Sequence, residues 1–375
     1  MPRLNEAYRE LVISARSGEL EEMSLFNLAS KQATKISRPA ANATLAGYSP
    51  ISRAMLYYAN DRTGLHLWLG GGSKLPLVPI FEANAFLQRV APGSTQKISY
   101  KSLDGRDLNG WLLLPPSYQR GMKCPLIVWI YPGWMAGQSP DELFDISFAH
   151  ALNLQIPAAR GYAVLRPSMP LDGGVDDPML KLPTGVLPAI DKLVELGIAD
   201  PERIFVMGQS MGGFATYGLI TQTQRFKAAV ALAGYTNLIS AHGGLESAAR
   251  YDDYPHETDS LQRTIEEGLH IGSPPWKDLG RYLRNSPIFY VDRVQTPLMI
   301  IHGDMDGVPI QQAEEFFMAL YQQGKRAKFV RYWGEGHVIE SPPNIRDMWE
   351  RIFAWFDEFS PKREDRKPAG SERPN

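Results

Sequence analysis

The chain has 375 residues, 44% of them hydrophobic and 21% charged, which is enough apolar material for one large domain and a smaller one. A formal net charge of -2, with Lys and Arg scattered and no basic stripe among the aromatics, excludes a polyanion-binding surface, so no nucleic-acid partner is expected.

Residues 1–10 lack the apolar centre of a signal peptide, and no run anywhere reaches membrane-spanning length. A cytoplasmic chain with no membrane partner is the expectation. From about residue 22 to 84 the sequence alternates in short runs, at 23–28, 44–48, 54–58 and 65–69, split by turn residues such as Asn60 and Asp61. That period of two predicts antiparallel β structure. Strand-like runs at 97–100 and 109–114 then lead into short, largely apolar segments at 125–130, 162–165, 203–207, 228–232 and 298–301, with a further strand-like run at 327–332. Cys124, the single cysteine, borders the first of these and reads as a buried, inert thiol. Helical patterns separate the runs, at 187–196, 212–223, 311–323 and 345–359, the last announced by Ser341, Pro342 and Pro343. Alternation of strand and helix predicts a mainly parallel sheet with crossover helices on both faces, an α/β class. Residues 362–375 are charged, Pro-containing and aperiodic, and are expected to be a disordered tail. The resulting division is 1–95 for the β segment and linker, 96–361 for the α/β domain and 362–375 for the tail.

The string Gly-Gln-Ser-Met-Gly-Gly at 208–213 follows one of those strands and opens one of those helices. A serine on a sharp strand-to-helix turn has its hydroxyl exposed, and glycines on either side supply the room the turn needs, so Ser210 is the candidate nucleophile. Asp306 follows the apolar run at 298–301, and His337 follows the run at 327–332. Serine, then acid, then histidine, each just past a strand, is the chain order of α/β-hydrolases and not that of the chymotrypsin or subtilisin types. Asp304 is the neighbouring alternative for the acid, since Asp beside Gly commonly starts a turn. Six other histidines occur, His66, His150, His242, His256, His270 and His302, and none combines a Gly-flanked loop with the right place in the order.

Four blocks carry a family resemblance: KCPLIVWIYPG at 123–133, GIADPERIFVMGQSMGGF at 197–214, SPIFYVDRVQTPLMIIHGDMD at 286–306 and YWGEGHVIESPPNIRDMWERIFAWF at 332–356. Residues 96–359 resemble the catalytic domain of the prolyl oligopeptidase family of serine peptidases. The resemblance implies an α/β-hydrolase fold, and it likens the alternating segment ahead of it to the end of a β-propeller, too short here to be a complete one. It implies Asp306 as the acid, and an oxyanion hole formed by the Tyr131 hydroxyl and the Met211 N–H. The loop 306–309 is one residue shorter than in many members and lacks an asparagine that dipeptidyl peptidases place near the substrate carbonyl, which counts against that mode.

Serine is a weak nucleophile at neutral pH and histidine is the side chain suited to take its proton there, with a carboxylate holding the tautomer. Hydrolysis of short peptides through an acyl-enzyme is the expected activity; an esterase of the same fold and an inactive truncated fragment are the alternatives. No metal or cofactor is expected, because no H-E-x-x-H, Cys-His cluster or dinucleotide fingerprint is present. Leu238 and Val308 are candidate walls of the substrate pocket. A peptide is the expected partner, together with a second copy of the chain recruited by unpaired strands in 22–84.

Overall fold

The computed structural model describes residues 10–17, 20–49, 51–71, 76–171, 177–244 and 260–361; the tail expected at 362–375 lies outside them. Two compact units are present. The first comprises residues 1–91 together with 145–149, and the second the remainder. Strand β8 (Ser94–Lys101) belongs to the second unit, so a boundary at 95/96 would cut a strand and the division moves to 91/92.

Among the described residues, the smaller unit holds seven antiparallel strands. A three-stranded sheet is formed by β1 (Glu10–Ser17), β2 (Leu20–Asn27) and β3 (Gln32–Lys35). A four-stranded meander follows, of β4 (Thr44–Ser49), β5 (Ala54–Asp61), β6 (Gly64–Gly70) and β7 (Val78–Ala83), the architecture of a propeller blade. The alternating runs fall on β2, β4, β5 and β6. On β5 the period of two sends Met55, Tyr57 and Ala59 inward, where they pack with Met23 and Ala43. Sequence periodicity overlooks β1, β3 and β7. The last is an edge strand with an internal Pro79 and no buried residue, so burial imposes no alternation on it.

The larger unit is built on an eight-stranded sheet in the order β15-β14-β13-β12-β10-β11-β9-β8. Its members after β8 are β9 (Asp107–Leu114), β10 (Cys124–Trp129), β11 (Ala163–Pro167), β12 (Ala199–Gln209), β13 (Ala228–Leu232), β14 (Leu298–Gly303) and β15 (Ala327–Tyr332). Strands β10 to β15 pair in parallel, whereas β8 and β9 are antiparallel additions. Eight helices accompany them among the described residues: α1 (Gln155–Ala159), α2 (Leu182–Glu195), α3 (Met211–Ile220), α4 (Leu238–His242), α5 (Ser260–Arg263), α6 (Leu279–Arg284), α7 (Gln311–Gln322) and α8 (Pro342–Glu358). This is the α/β-hydrolase arrangement.

Successive strand residues face opposite layers, and both layers are apolar, which is why these strands read as unbroken hydrophobic runs. Leu126, Val128, Val206 and Ile300 face Val186, Phe214 and Phe316 from α2, α3 and α7. Ile127, Phe205, Met207 and Ile301 face Ile352 and Phe356 from α8, with the Phe205 and Phe356 rings stacked at 4.5 Å. Helix α2 begins five residues earlier than its sequence period suggests, because Pro183 sits in its first turn, where no N–H is required, and Pro188 is accommodated inside it. Strand β10 pairs with β11 on one side and β12 on the other, so the chain reverses direction across the sheet there. In sheets of this kind ligands bind beyond the carboxyl ends of the strands flanking such a reversal. Tyr131 and Ser210 follow those two strands.

Candidate active site

Ser210 joins β12 to α3 with φ 61 and ψ -120, a conformation that costs a non-glycine residue about 1–3 kcal/mol. The surroundings impose it. Its N–H donates to the Leu232 carbonyl at 2.9 Å, and its carbonyl accepts the Phe214 N–H at 3.0 Å. A Cβ on Gly212 would stand 2.3 Å from the Ile130 carbonyl oxygen, so only glycine lets α3 approach β10 this closely. Met211 is the first helical residue, and its N–H has no intrahelical acceptor.

Beyond β14 the chain turns through residues 304–309, and Asp306 lies inside that turn with its side chain inaccessible to solvent. The Val308 N–H donates to Asp306 Oδ1 at 2.8 Å, and His337 Nδ1 lies 2.8 Å from the same oxygen. The His337 side chain is 40% exposed, so the carboxylate holds it at Nδ1 while part of it faces solvent. His302, at the end of β14, approaches from the opposite side: its Nε2 is 2.9 Å from the Val308 carbonyl oxygen and 3.2 Å from Asp306 Oδ2. Burial pushes the Asp306 carboxyl upward, but hydrogen bonds and charge from His302 and His337 more than offset it and hold the group below the ordinary carboxylate range. His302 is the residue that sequence reasoning passed over. Its signal is a histidine ending an apolar strand four residues before the acid.

The acid and histidine loops are fastened together by backbone. A Cβ on Gly303 would fall 2.3 Å from the Glu335 carbonyl oxygen and 2.4 Å from that of Gly336, so glycine is required for the two loops to touch. The Met305 N–H donates to the Glu335 carbonyl at 2.9 Å, and the Gly334 N–H to Asp304 Oδ1 at 2.6 Å. Asp304 is therefore occupied as a loop clasp. The buried Glu335 carboxylate accepts from the Glu340 N–H at 2.8 Å, the Ser341 N–H at 3.2 Å and Asn344 Nδ2 at 2.6 Å, which binds the His337 loop to the start of α8. From the nucleophile side, Gln209 Nε2 donates to the His337 carbonyl at 2.6 Å.

Tyr131 follows β10 and is half-buried, with its ring against Gly212. The segment after it is pinned by the Gly133 N–H to the Met169 carbonyl at 2.7 Å and the Met169 N–H to the Trp134 carbonyl at 2.8 Å. The buried Arg166 guanidinium ion-pairs with Asp141 and lies 4.3 Å over the Trp134 ring, whose Nε1 donates to Asp141 at 3.1 Å. Leu238 and Val308, the candidate pocket walls, are buried, with exposures of 0% and 2%. Leu238 packs in the core and Val308 serves Asp306 through its backbone. No helix among the described residues is long and apolar enough to cross a membrane.

The sequence profile of the prolyl oligopeptidase family matches residues 184–362, a span that includes Ser210, Asp306 and His337. An uncharacterized peptidase, YuxL, of Bacillus subtilis is 31% identical over 277 residues, covering 70% of this chain and 39% of the relative. Dipeptidyl-peptidase 5 of Porphyromonas gingivalis is 28% identical over 298 residues, covering 75% and 40%. A puromycin-hydrolyzing peptidase of Mycobacterium tuberculosis superposes with a TM-score of 0.63 at 20% identity, over 93% of this chain and 52% of that one, a likeness of fold. The chain thus spans about two-fifths of the length of these curated relatives.

Proposed function

We propose that this chain, whose residues 184–362 belong to the prolyl oligopeptidase family, is a serine peptidase that cleaves short peptides through Ser210, His337 and Asp306. The observation that carries the reading is the buried Asp306 carboxylate held 2.8 Å from Nδ1 of a half-open His337, in the same domain as a serine at φ 61. The names of its relatives, peptidases by description, support the same class.

In this reading His337 takes the Ser210 proton as the hydroxyl attacks the substrate carbonyl, then returns it to the leaving amine. Asp306 fixes the tautomer protonated at Nδ1, which makes Nε2 the basic nitrogen, and it stabilises the imidazolium that forms. Negative charge gathers on the former carbonyl oxygen. The Met211 N–H and the Tyr131 hydroxyl are the donors assigned to it, each such donor contributing about 3–4 kcal/mol of transition-state stabilisation. Water then releases the acyl group.

The test is a fluorophosphonate probe combined with paired substrates. Labelling should occur at Ser210 and vanish in Ser210→Ala, and a peptidyl-naphthylamide should be turned over as well as a nitrophenyl ester. Ester turnover alone would move the assignment to an esterase, and absence of labelling would leave a non-catalytic fragment.

A further inference from the structure

We propose that His302 is a positioning residue for the acid of the triad, fixing the Asp306 carboxylate from the side opposite His337. The inference rests on the reading above. Both atoms facing His302 Nε2 are acceptors, so this nitrogen carries the proton: its N–H donates to the Val308 carbonyl at 2.9 Å, and Asp306 Oδ2, 3.2 Å away, is reached through charge and not through an aligned hydrogen bond. The other nitrogen, Nδ1, is buried with no hydrogen-bond partner among the described residues. A proton there would be a buried, unsatisfied donor costing about 1–3 kcal/mol, which selects the neutral tautomer protonated at Nε2. The ring is 1% exposed and cannot turn out to find other partners.

The consequence falls on Asp306. His302 closes the turn from 302 to 308 through the Val308 carbonyl, while the Val308 N–H holds Asp306 Oδ1 at 2.8 Å. One carboxylate oxygen is thereby fixed by Val308 and His337, and the other faces the His302 donor. With Oδ1 held by hydrogen bonds and Oδ2 drawn toward the His302 N–H 3.2 Å away, rotation of the carboxylate is opposed and the lone pair aimed at His337 Nδ1 is restrained. Without the His302 donor, Oδ2 would be a buried charged atom with less to compensate it, and the carboxylate would rotate or take up a proton. Either outcome leaves His337 less well oriented and its charged form less supported during attack.

The test uses the reach of two amides. Glutamine places its side-chain nitrogen near the position of His302 Nε2 and can donate to both acceptors; asparagine reaches only as far as Nδ1. With a nitrophenyl ester as substrate, His302→Asn should lower kcat by roughly 10- to 100-fold with KM within about threefold, and His302→Gln should recover most of the loss. Both variants bury an amide, so a purely structural role predicts equal losses in the two, and that result would overturn the proposal. Where the variants fold poorly, the unsubstituted protein decides: ring ¹⁵N spectra should show His302 protonated at Nε2 and bare at Nδ1, and the reverse tautomer would overturn it. Ser210 labelling by the fluorophosphonate keeps the two ideas apart. Its absence in the unsubstituted protein would sink the peptidase reading, whereas intact labelling with equal kcat in the two variants would sink only the role of His302.

Discussion

The side-chain amide of Gln209 donates to the main-chain carbonyl of His337 across 2.6 Å, so the residue just before the candidate nucleophile holds the loop of the candidate base. The two residues are 128 positions apart, and this bond reaches the His337 loop from the nucleophile's side of the site. Gln209 is half-buried, and such a bond contributes about 0.5–1.5 kcal/mol. Gln209→Met keeps the length and volume of the side chain and removes the donor. We expect kcat to fall by roughly 3- to 10-fold, with little change in KM and in thermal midpoint, because what is lost is the placement of His337 and not substrate contact. Steady-state kinetics on a nitrophenyl ester would show it; a change confined to KM would contradict the placement argument.

Asp304 and Asp306 can be separated in the same assay. Asp306 is inaccessible to solvent and faces the His337 ring, whereas Asp304 accepts the Gly334 N–H at 2.6 Å and lies 3.9 Å from Arg331. Asp306→Asn offers His337 an amide in place of a carboxylate and favours the wrong tautomer, so kcat should drop by about 10⁴-fold. Asp304→Asn retains the oxygen that accepts from Gly334 and should cost less than about threefold. The opposite ranking would transfer the acid to Asp304.

Much of this was legible in the sequence because burial on both faces leaves an unmistakable mark. The runs at 204–207, 228–232 and 298–301 are apolar without alternation, and each became part of an interior parallel strand. Ser210 and Asp306 became candidates by standing just past such runs, and His337 by standing past the strand-like run at 327–332. His302 did not, because its importance arises from a chain reversal that brings Val308 and Asp306 back to the strand end, and no period in the sequence encodes a turn of that kind. Gln209 and Glu335 were invisible for the same reason: each binds backbone groups from other turns of the chain, and backbone acceptors and donors leave no residue signature. Leu238 shows the opposite ambiguity. An apolar residue after a strand fits a pocket wall as well as a core position, and only its complete burial decides.

Acid should weaken the fold through carboxylates held below their ordinary range, Glu335 and Asp306 among them. Burial pushes Glu335 upward, but the hydrogen bonds from the Glu340 N–H, the Asn344 amide and the Ser341 N–H bring its pKa below the usual value, and Asp306 is held low as well. A carboxyl lowered in the folded state contributes stability that is fully present above its unfolded value, about 4, and is lost as pH falls through the lowered folded value. Denaturant midpoints should therefore be steady from about pH 7 to 5 and fall below about pH 4. Glu335→Gln should be destabilised by about 1–3 kcal/mol near neutrality, since an amide turns a donor toward donors, and should show a shallower fall in acid. Parallel acid slopes for the variant and the unsubstituted protein would remove Glu335 from this account.

The strain at Ser210 makes a prediction that is independent of substrate. At φ 61 and ψ -120 a side chain is held where only glycine is at ease, and the Leu232 and Phe214 hydrogen bonds keep it there. Ser210→Ala removes the hydroxyl but keeps the Cβ, so activity should vanish while stability changes by less than about 0.5 kcal/mol. Ser210→Gly removes the Cβ as well. It relieves about 1–3 kcal/mol of strain and gives back about 0.5–1 kcal/mol through the greater freedom of the unfolded chain, so it should be more stable than Ser210→Ala by about 1 kcal/mol. Urea unfolding of the two inactive variants measures the difference directly. Equal midpoints would mean that the turn is not strained in solution, and that the geometry of the candidate nucleophile is maintained without stored energy.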